Sequence, residues 1–523
     1  MPTPTANPPS LPPDRADRLI ALTLFVGLAA VYFLTLAGIT SSNDGSHYAL
    51  LRTMADNRAF ALMQFDDFAE GNDIAITPDG RLFSDRPPGT AVAALPFYWL
   101  GGLLTQDPLP RGEGVLSPSL REGLGEGAGA DPLPNPLPGG EGAGMASRHD
   151  AGNPRLPYVL LLPVFAGAGT AALLFGLLRY LGLGRGAALT AVVFFALGTT
   201  HWKYSTVLFS HALSSFLVVL SVYLALLLAE RELAGWRWYV LWGFALGAAV
   251  VVEYSNALLL PLLGLFWLWR SWPRAARRPL TTLLPALLGA LPPLAFLAWY
   301  NTVNFGRPWT LSYAYAVNYP WAGAFGTTFN FPLWPGLRAL LWWGEGGGWC
   351  GGPPCLNQGL FLLSPLWFVA LPGLVVLLRR RQAAFVLLAG VFAVYLLLFA
   401  KHQTSHGFTA DGRYLTPFLG LLVPALGFGL DWLFDPRRGP VFRAAAALVV
   451  YGLFFLSLAR QMLHIGTSYN YTLDLTQLAL PLARPENTAL VLRAVFPNAA
   501  NWPWLLPLVL VAVVVAWRIG DRD

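Results

Sequence analysis

Apolar residues in this chain come in long runs separated by short polar stretches. A run of about 20 apolar residues is what a helix needs to cross the hydrocarbon core of a bilayer. About twelve segments (eleven to thirteen) follow this pattern. They lie near Leu19–Ile39, Pro157–Tyr180, Ala187–Gly198, Thr206–Ala229, Tyr239–Val252, Asn256–Trp269, Leu280–Tyr300, Leu360–Leu378, Ala383–Ala400, Tyr414–Leu433, Phe442–Ala459 and Trp502–Trp517. The prediction is an all-α polytopic membrane protein. Several runs are short, which suits broken or tilted helices buried in protein.

Composition agrees. The 523 residues are 55% hydrophobic and 12% charged, with mean hydropathy +0.51. Soluble domains carry roughly 25% charged residues. The net charge of +6 does not point to nucleic acid, because the arginines are dispersed in short loops between apolar runs. Arg270 to Arg278, Arg379 to Arg381, Arg437-Arg438, and Arg518 with Arg522 mark one side as cytoplasmic. Arg179 and Arg185 then fall on that side too, and residues 1–18 form a cytoplasmic tail. Met1 to Pro13 lacks a cleavable signal pattern, so Leu19–Ile39 reads as a retained first span. Gly89–Leu104 is apolar enough to cross, but a crossing there breaks the charge alternation. The expectation is an amphipathic helix on the outer surface.

The outer side then collects the longer loops, 40–153, 301–357 and 461–501, with tight turns near 201–205, 253–255 and 401–413. Residues 19–460 form the expected transmembrane catalytic domain, and 461–523 an outer loop plus a last helix. Within the first loop, Asp107-Pro-Leu-Pro recurs as Asp131-Pro-Leu-Pro in a Pro/Gly/Glu-rich run over 105–153. Such a composition cannot bury a core and reads as a disordered insertion without function. Cys350 and Cys355 are the two cysteines. Two thiols do not make a structural zinc site, and disulfide and free thiols remain equal alternatives.

Ionisable residues beside membrane spans are costly and mark functional sites. Ser42-Asn43-Asp44-Gly45-Ser46-His47-Tyr48 follows the first span. A helix capped at Ser42 or Asn43 would put His47 and Tyr48 one turn from Asp44. Asp44 then reads as a reactive acid or as a helix cap. Asp85-Arg86-Pro87-Pro88-Gly89 puts a cation before a Pro-led helix start, a good anion site. Asp66, Asp67, Glu70 and Asp73 could hold a divalent metal, although loop acids are more often simply solvated. Lys203, Ser210-His211, Glu253-Tyr254-Ser255-Asn256 and Asp411-Gly412-Arg413 bring further polar groups to the same side. Arg413 at a helix head suits a phosphate.

The order of these motifs resembles the GT-C glycosyltransferases, polytopic enzymes that use polyprenyl-phosphate-linked sugars, including protein O-mannosyltransferase-like and aminoarabinose-transferase-like members. The resemblance rests on Asn43-Asp44-Gly-Ser-His-Tyr48, on Asp85-Arg86-Pro87-Pro88 to Pro96, on Asn304 to Pro308 with Gly359 to Pro365, and on Asp411 to Pro417. It spans roughly Leu19 to Leu433. The family often has Lys where this chain has Arg86, and many members have a second acid where this chain has Ser210-His211. The latter departure tells against a two-acid, metal-dependent mechanism.

The resemblance implies transfer of a sugar to a glycan, lipid or protein acceptor on the external face, in a bacterial inner membrane. Asp44 would be the base. Arg86, Arg413, Lys203 and His211 would hold the donor phosphate. His47, Tyr48, Asp85, Glu253 and Asn256 would contact substrate. A polyprenyl-phosphate is already a good leaving group, so the reaction needs a base and phosphate-binding cations, and inversion is expected. The aromatic-rich stretch Trp309 to Trp349 would stack on sugar or anchor at the interface. A transporter or flippase of lipid-linked saccharide is the alternative, with a glycan polymerase or ligase behind it. A transporter calls for an internal repeat or charges deep within spans, whereas the charges here gather on one face.

Overall fold

The computed structural model describes residues 14–69, 71–105, 153–230, 235–277, 279–345, 356–404 and 411–466. The Pro/Gly/Glu-rich insertion, both cysteines and the expected last span lie outside these residues.

The described residues are mostly helical. Its main helices are α1 (Arg15–Leu34), α2 (Ser42–Arg52), α3 (Gly89–Thr105), α4 (Leu161–Tyr180), α5 (Arg185–Gly198), α6 (Ser210–Glu230) and α7 (Trp236–Val252). There follow α8 (Leu259–Arg277), α9 (Leu283–Phe305), α10 (Leu333–Leu341), α11 (Ala370–Arg380), α12 (Gln382–Ala400), α13 (Val423–Leu433) and α14 (Pro440–Gly466). Among the described residues, seven helical stretches are long and apolar enough to cross a membrane: 15–34, 156–180, 210–230, 283–305, 382–400, 413–433 and 440–462. α3, α5 and α7 are shorter apolar helices.

Two expected spans are interrupted. The 360–378 run breaks into Leu360–Leu363, a 3-10 turn over Pro365–Val369, and α11, because Pro365 has no amide to continue the ladder. The 256–269 run opens with a 3-10 turn, Tyr254–Leu258, before α8.

α3 departs from the amphipathic expectation. Ala91, Ala94 and Tyr98 are buried against the bundle, yet the opposite face carries exposed Trp99, Leu100, Leu103 and Leu104. Both faces are apolar, so no polar face is available to lie toward water.

Packing depends on small residues at helix crossings, as is usual where lipid supplies no drive for helices to associate. α7 and α9 approach so closely that a Cβ on Gly289 would fall 2.0 Å from the Val240 carbonyl oxygen. α4 contacts α1, α5 and α6, and α5 contacts α13 and α14. At one end of the bundle Asp17, at the start of α1, pairs with Arg179 at 3.1 Å and Arg185 at 2.8 Å. The sheet content is minor. β1 (Ile74–Ile76) pairs antiparallel with β2 (Leu82–Ser84), Ala75 opposite Phe83. β3 (Trp343–Glu345) pairs antiparallel with β4 (Leu356–Gln358).

Candidate active site

Five segments far apart in sequence meet at the other end of the bundle. α5 and α7 finish there, and α3, α6 and the helical stretch from Arg413 begin there.

α2 is set first. Ser41 is its N-cap, and Asp44 at the third helical position completes a capping box. One Asp44 oxygen accepts from the Ser41 amide at 2.8 Å and the Ser41 hydroxyl at 2.7 Å. The other accepts from the Thr40 amide at 2.8 Å and the Thr40 hydroxyl at 3.2 Å. The carboxylate has no exposed surface. Burial pushes its pKa up to about 6, against the pull of those donors. The Asp44 carboxylate thus occupies the helix-cap position. Gly45 lets α2 press on the 3-10 turn Met63–Ala69, since a Cβ there would fall 1.7 Å from the Phe68 carbonyl oxygen.

The polar face of α2 points at Asp73 and Arg86. Asp73, buried just before β1, accepts from the Ser42 hydroxyl at 2.5 Å and from the Arg86 guanidinium. Its backbone carbonyl accepts from Ser46 at 2.6 Å. Arg86 also lies 3.1 Å from an Asp85 oxygen. With its side-chain amide reoriented, Asn43 accepts from Arg86 at 3.2 and 3.3 Å. Asp85 is fully buried, and apart from its ion pair with Arg86 its carboxylate oxygens have no hydrogen-bond partner among the described residues. Burial and Asp73 raise its pKa, opposed by Arg86 and Arg413, and the net direction is upward. His47 is buried with its Nδ1 unpartnered. Burial, aided by Arg86, lowers its pKa to about 3, so it stands neutral. Gly89 brings α3 onto the end of α7, where a Cβ would lie 2.6 Å from the Val251 and Val252 backbone.

The second cation arrives from the far end of the chain. Gly412, at φ +54°, turns the backbone into the helical stretch that begins at Arg413, a conformation glycine adopts without strain. Arg413 stacks on Phe209 at 5.4 Å from its ring centre. It falls within electrostatic reach of Asp85, Glu253 and His211. Lys203 faces Asp411 at 3.4 Å, and the Tyr204 hydroxyl donates to the same oxygen at 2.8 Å. Burial, with Arg413 in support, holds Lys203 below the usual lysine range, against the pull of Asp411. Glu253 accepts from Ser210 at 2.9 Å, and burial raises its pKa. His211 shares the field of Arg413, Asp411, His47 and Arg86, with its Nε2 buried and unpartnered.

The stretch after α9 closes over this group. Ser312 donates to the Asp85 carbonyl at 2.6 Å and lies 3.3 Å from the Tyr254 hydroxyl. Ala316 bridges to Ala75, and Asn318 donates to the Gly71 carbonyl at 2.7 Å. Tyr313 and Tyr319 come within reach of the Arg86 charge.

The structure therefore gathers Arg86, Arg413, Lys203, His211, His47, Asp85 and Glu253 into one ionic group. It sets two expected substrate contacts aside. The Tyr48 hydroxyl takes a hydrogen bond from Asn153 at 3.0 Å, and its ring packs edge-on against Phe68, because position 48 lies round the helix from Ser42 and Ser46. Asn256 uses its amide to tie the turn after α7 to Ser214 at 2.8 Å and Ala249 at 2.9 Å. The Asp66 and Asp67 side chains, Glu70 and His406 lie outside the described residues. Among the described residues no three acidic, His or Cys side chains converge as a metal site. His201 bonds to the Gly167 carbonyl at 3.1 Å and packs on Phe195, a structural position.

Sequence reasoning placed Asp73 only among possible metal ligands and had Tyr313 and Tyr319 only within the aromatic-rich stretch 309–349. No local signal set Asp73 apart from the other acids of its loop.

Two solved structures are similar to this chain. One is ArnT from Cupriavidus metallidurans bound to undecaprenyl phosphate, at TM-score 0.48 and 14% identity, covering 95% of this chain and 76% of that one. The other is the Archaeoglobus fulgidus oligosaccharyltransferase in the apo form, at TM-score 0.43 and 14% identity, covering 84% of this chain and 56% of that one. No family model matches the sequence, and comparison with curated proteins gives no match.

Proposed function

We propose that this protein is a membrane glycosyltransferase that moves a sugar from a polyprenyl-phosphate-linked donor to an acceptor hydroxyl on the external face, with inversion. The observation that carries this reading is the joining of Arg86 and Arg413, from opposite halves of the chain, in one buried ionic group at one end of a bundle of apolar helices. Two cations at that level suit a lipid-borne phosphate whose charge grows as the sugar leaves. The apolar flanks of the helices suit its polyprenyl chain. The ordered motifs of the sequence point to the same chemistry.

In this reading Arg86 and Arg413 hold the donor phosphate. Lys203 keeps Arg413 in place through Asp411, which sits two residues before it. Asp85 takes the proton of the acceptor hydroxyl. Its carboxylate is buried with Arg86 as its near neighbour, and burial raises its proton affinity toward the range useful to a general base. The acceptor oxygen forms the new bond to the anomeric carbon as the bond to the phosphate oxygen breaks, and the phosphate leaves as an anion between the arginines. Asp44, with four donors already on its carboxylate, supports α2 instead.

The test is sugar release from labelled polyprenyl-phosphate sugars by purified protein in lipid. Wild type and Asp44→Asn should turn over. Asp85→Asn should bind donor without turnover, and Arg86→Ala should lose donor binding. Loss of turnover in Asp44→Asn with Asp85→Asn active would return the base to Asp44. Absence of turnover with every donor in the wild type would reject the transferase.

A further inference from the structure

We infer that the opposite end of the bundle carries a binding site for a zwitterionic, phosphoethanolamine-type phospholipid headgroup. A cavity of about 670 Å³ opens there between the start of α5, the end of α11, the turn joining α13 to α14, and α14 itself. α5 runs for 14 residues from this cavity to the ionic group, a distance of about 21 Å. The cavity is thus separate from the candidate active site. The Arg-rich turns around it place it in the cytoplasmic leaflet.

Its lining offers both signs of charge. Arg380 pairs with Asp431 at 2.7 Å, and Asp435 accepts from the Arg437 amide at 2.9 Å. Both partners of the Arg380–Asp431 pair are well exposed. Exposed pairs of this kind are weak, so a headgroup can take over either partner at little cost. Gly184 precedes α5 and supplies no capping side chain, and Gly186 and Ala187 of the first turn line the cavity. A first helical turn without a side-chain cap attracts an anion. Leu430, Phe434 and Tyr451 complete an apolar wall.

These features match one headgroup chemistry. A phosphate would sit between the α5 amides and Arg437, and an ammonium between Asp431 and Asp435. The apolar wall would take the upper acyl chain. Two cations and two carboxylates leave the charged lining neutral, which favours a neutral zwitterion over an anionic lipid. A quaternary choline lacks the N–H donors that two carboxylates call for. Inorganic phosphate offers neither an ammonium nor a chain.

The experiment is native mass spectrometry of the full chain, exchanged into mixed micelles holding equal phosphatidylethanolamine, phosphatidylglycerol and phosphatidylcholine. The expected result is one retained phosphatidylethanolamine, favoured at least tenfold over either competitor and not displaced by millimolar inorganic phosphate. Asp431→Asn/Asp435→Asn should abolish that preference, and Arg437→Ala should weaken retention of every phospholipid. Equal retention of the three lipids, retention of phosphatidylglycerol alone, displacement by phosphate, or no retained lipid would each overturn the inference. Unchanged thermal unfolding of the variants, which alter exposed or half-exposed positions, separates lost binding from lost folding.

Discussion

Arg86 donates to Asp73, 13 positions before it, across the short hairpin of β1 and β2. The cation at the head of α3 is therefore held by an acid that the sequence presents as one of several in a polar loop. Removing that acid leaves a buried guanidinium with Asp85 as its remaining carboxylate. Breaking a buried pair by deleting one partner costs about 3 kcal/mol or more. Asp73→Asn should lower the unfolding free energy in detergent by that order, read as an earlier thermal unfolding midpoint. A midpoint within error of wild type would show that Asp73 does not hold Arg86.

Asp44→Asn keeps the shape of the cap but removes its charge. A lost N-terminal cap costs about 1 kcal/mol. The variant should unfold slightly earlier while retaining donor turnover per folded molecule. Turnover and folded fraction measured on one preparation make the comparison.

The pH response should have two limbs. His47 is held neutral, with its pKa brought down from 6.5 to about 3. The unfolded chain therefore takes up that proton first, and stability contributed by His47 is lost as pH falls from about 6.5 toward 3. Glu253 is raised from 4.5, so it acts in the other direction. Its contribution is complete below pH 4.5 and declines as pH rises through its folded value. Unfolding midpoints across pH 4 to 8, a window of about 4 units around these values, should lose the acid limb in His47→Gln. In Glu253→Gln they should lose the opposing slope. An unchanged profile in both variants would contradict the burial of these groups.

Gly45→Ala tests the contact between α2 and the Met63–Ala69 turn. The added methyl would sit 1.7 Å from the Phe68 carbonyl oxygen, and backbone cannot yield as a side-chain tip does. Overpacking of this kind costs about 3 kcal/mol. The variant should express poorly or lose activity without any change of charge. Wild-type midpoint and activity would contradict the close approach.

Local chemistry was legible in the sequence where local forces decide it. A helix start beside Asp44 was expected with its cap at Ser42 or Asn43 and falls at Ser41, and Pro87-Pro88 immediately precede α3. The polar groups at one membrane face were also legible, since apolar spans leave them few places to go. What the sequence concealed depends on tertiary contacts. Nothing near Asp73 says that a hairpin will fold it onto Arg86, and nothing near Tyr48 says that its hydroxyl will meet Asn153. The amphipathic expectation for residues 89–104 relied on charge alternation. The packing of Ala91, Ala94 and Tyr98 beneath an outward face of Trp99 and Leu103 leaves no polar side. Broken helices were expected among the shorter runs, but hydropathy registers composition and does not say where the chain breaks, as it does at Pro365.

The pairing of Lys203 with Asp411 spans 208 positions. Ribosomes add about 5–20 residues per second, so Asp411 is made roughly 10–40 seconds after Lys203. Arg86 has no such wait, because Asp73 has already been made when it emerges. During synthesis the first loop can balance its own charge, whereas Lys203 must stay hydrated until most of the chain has followed it. The deep ionic group thus cannot close until residue 411 has been made, and interruption of synthesis before that point would leave Lys203 without its carboxylate partner.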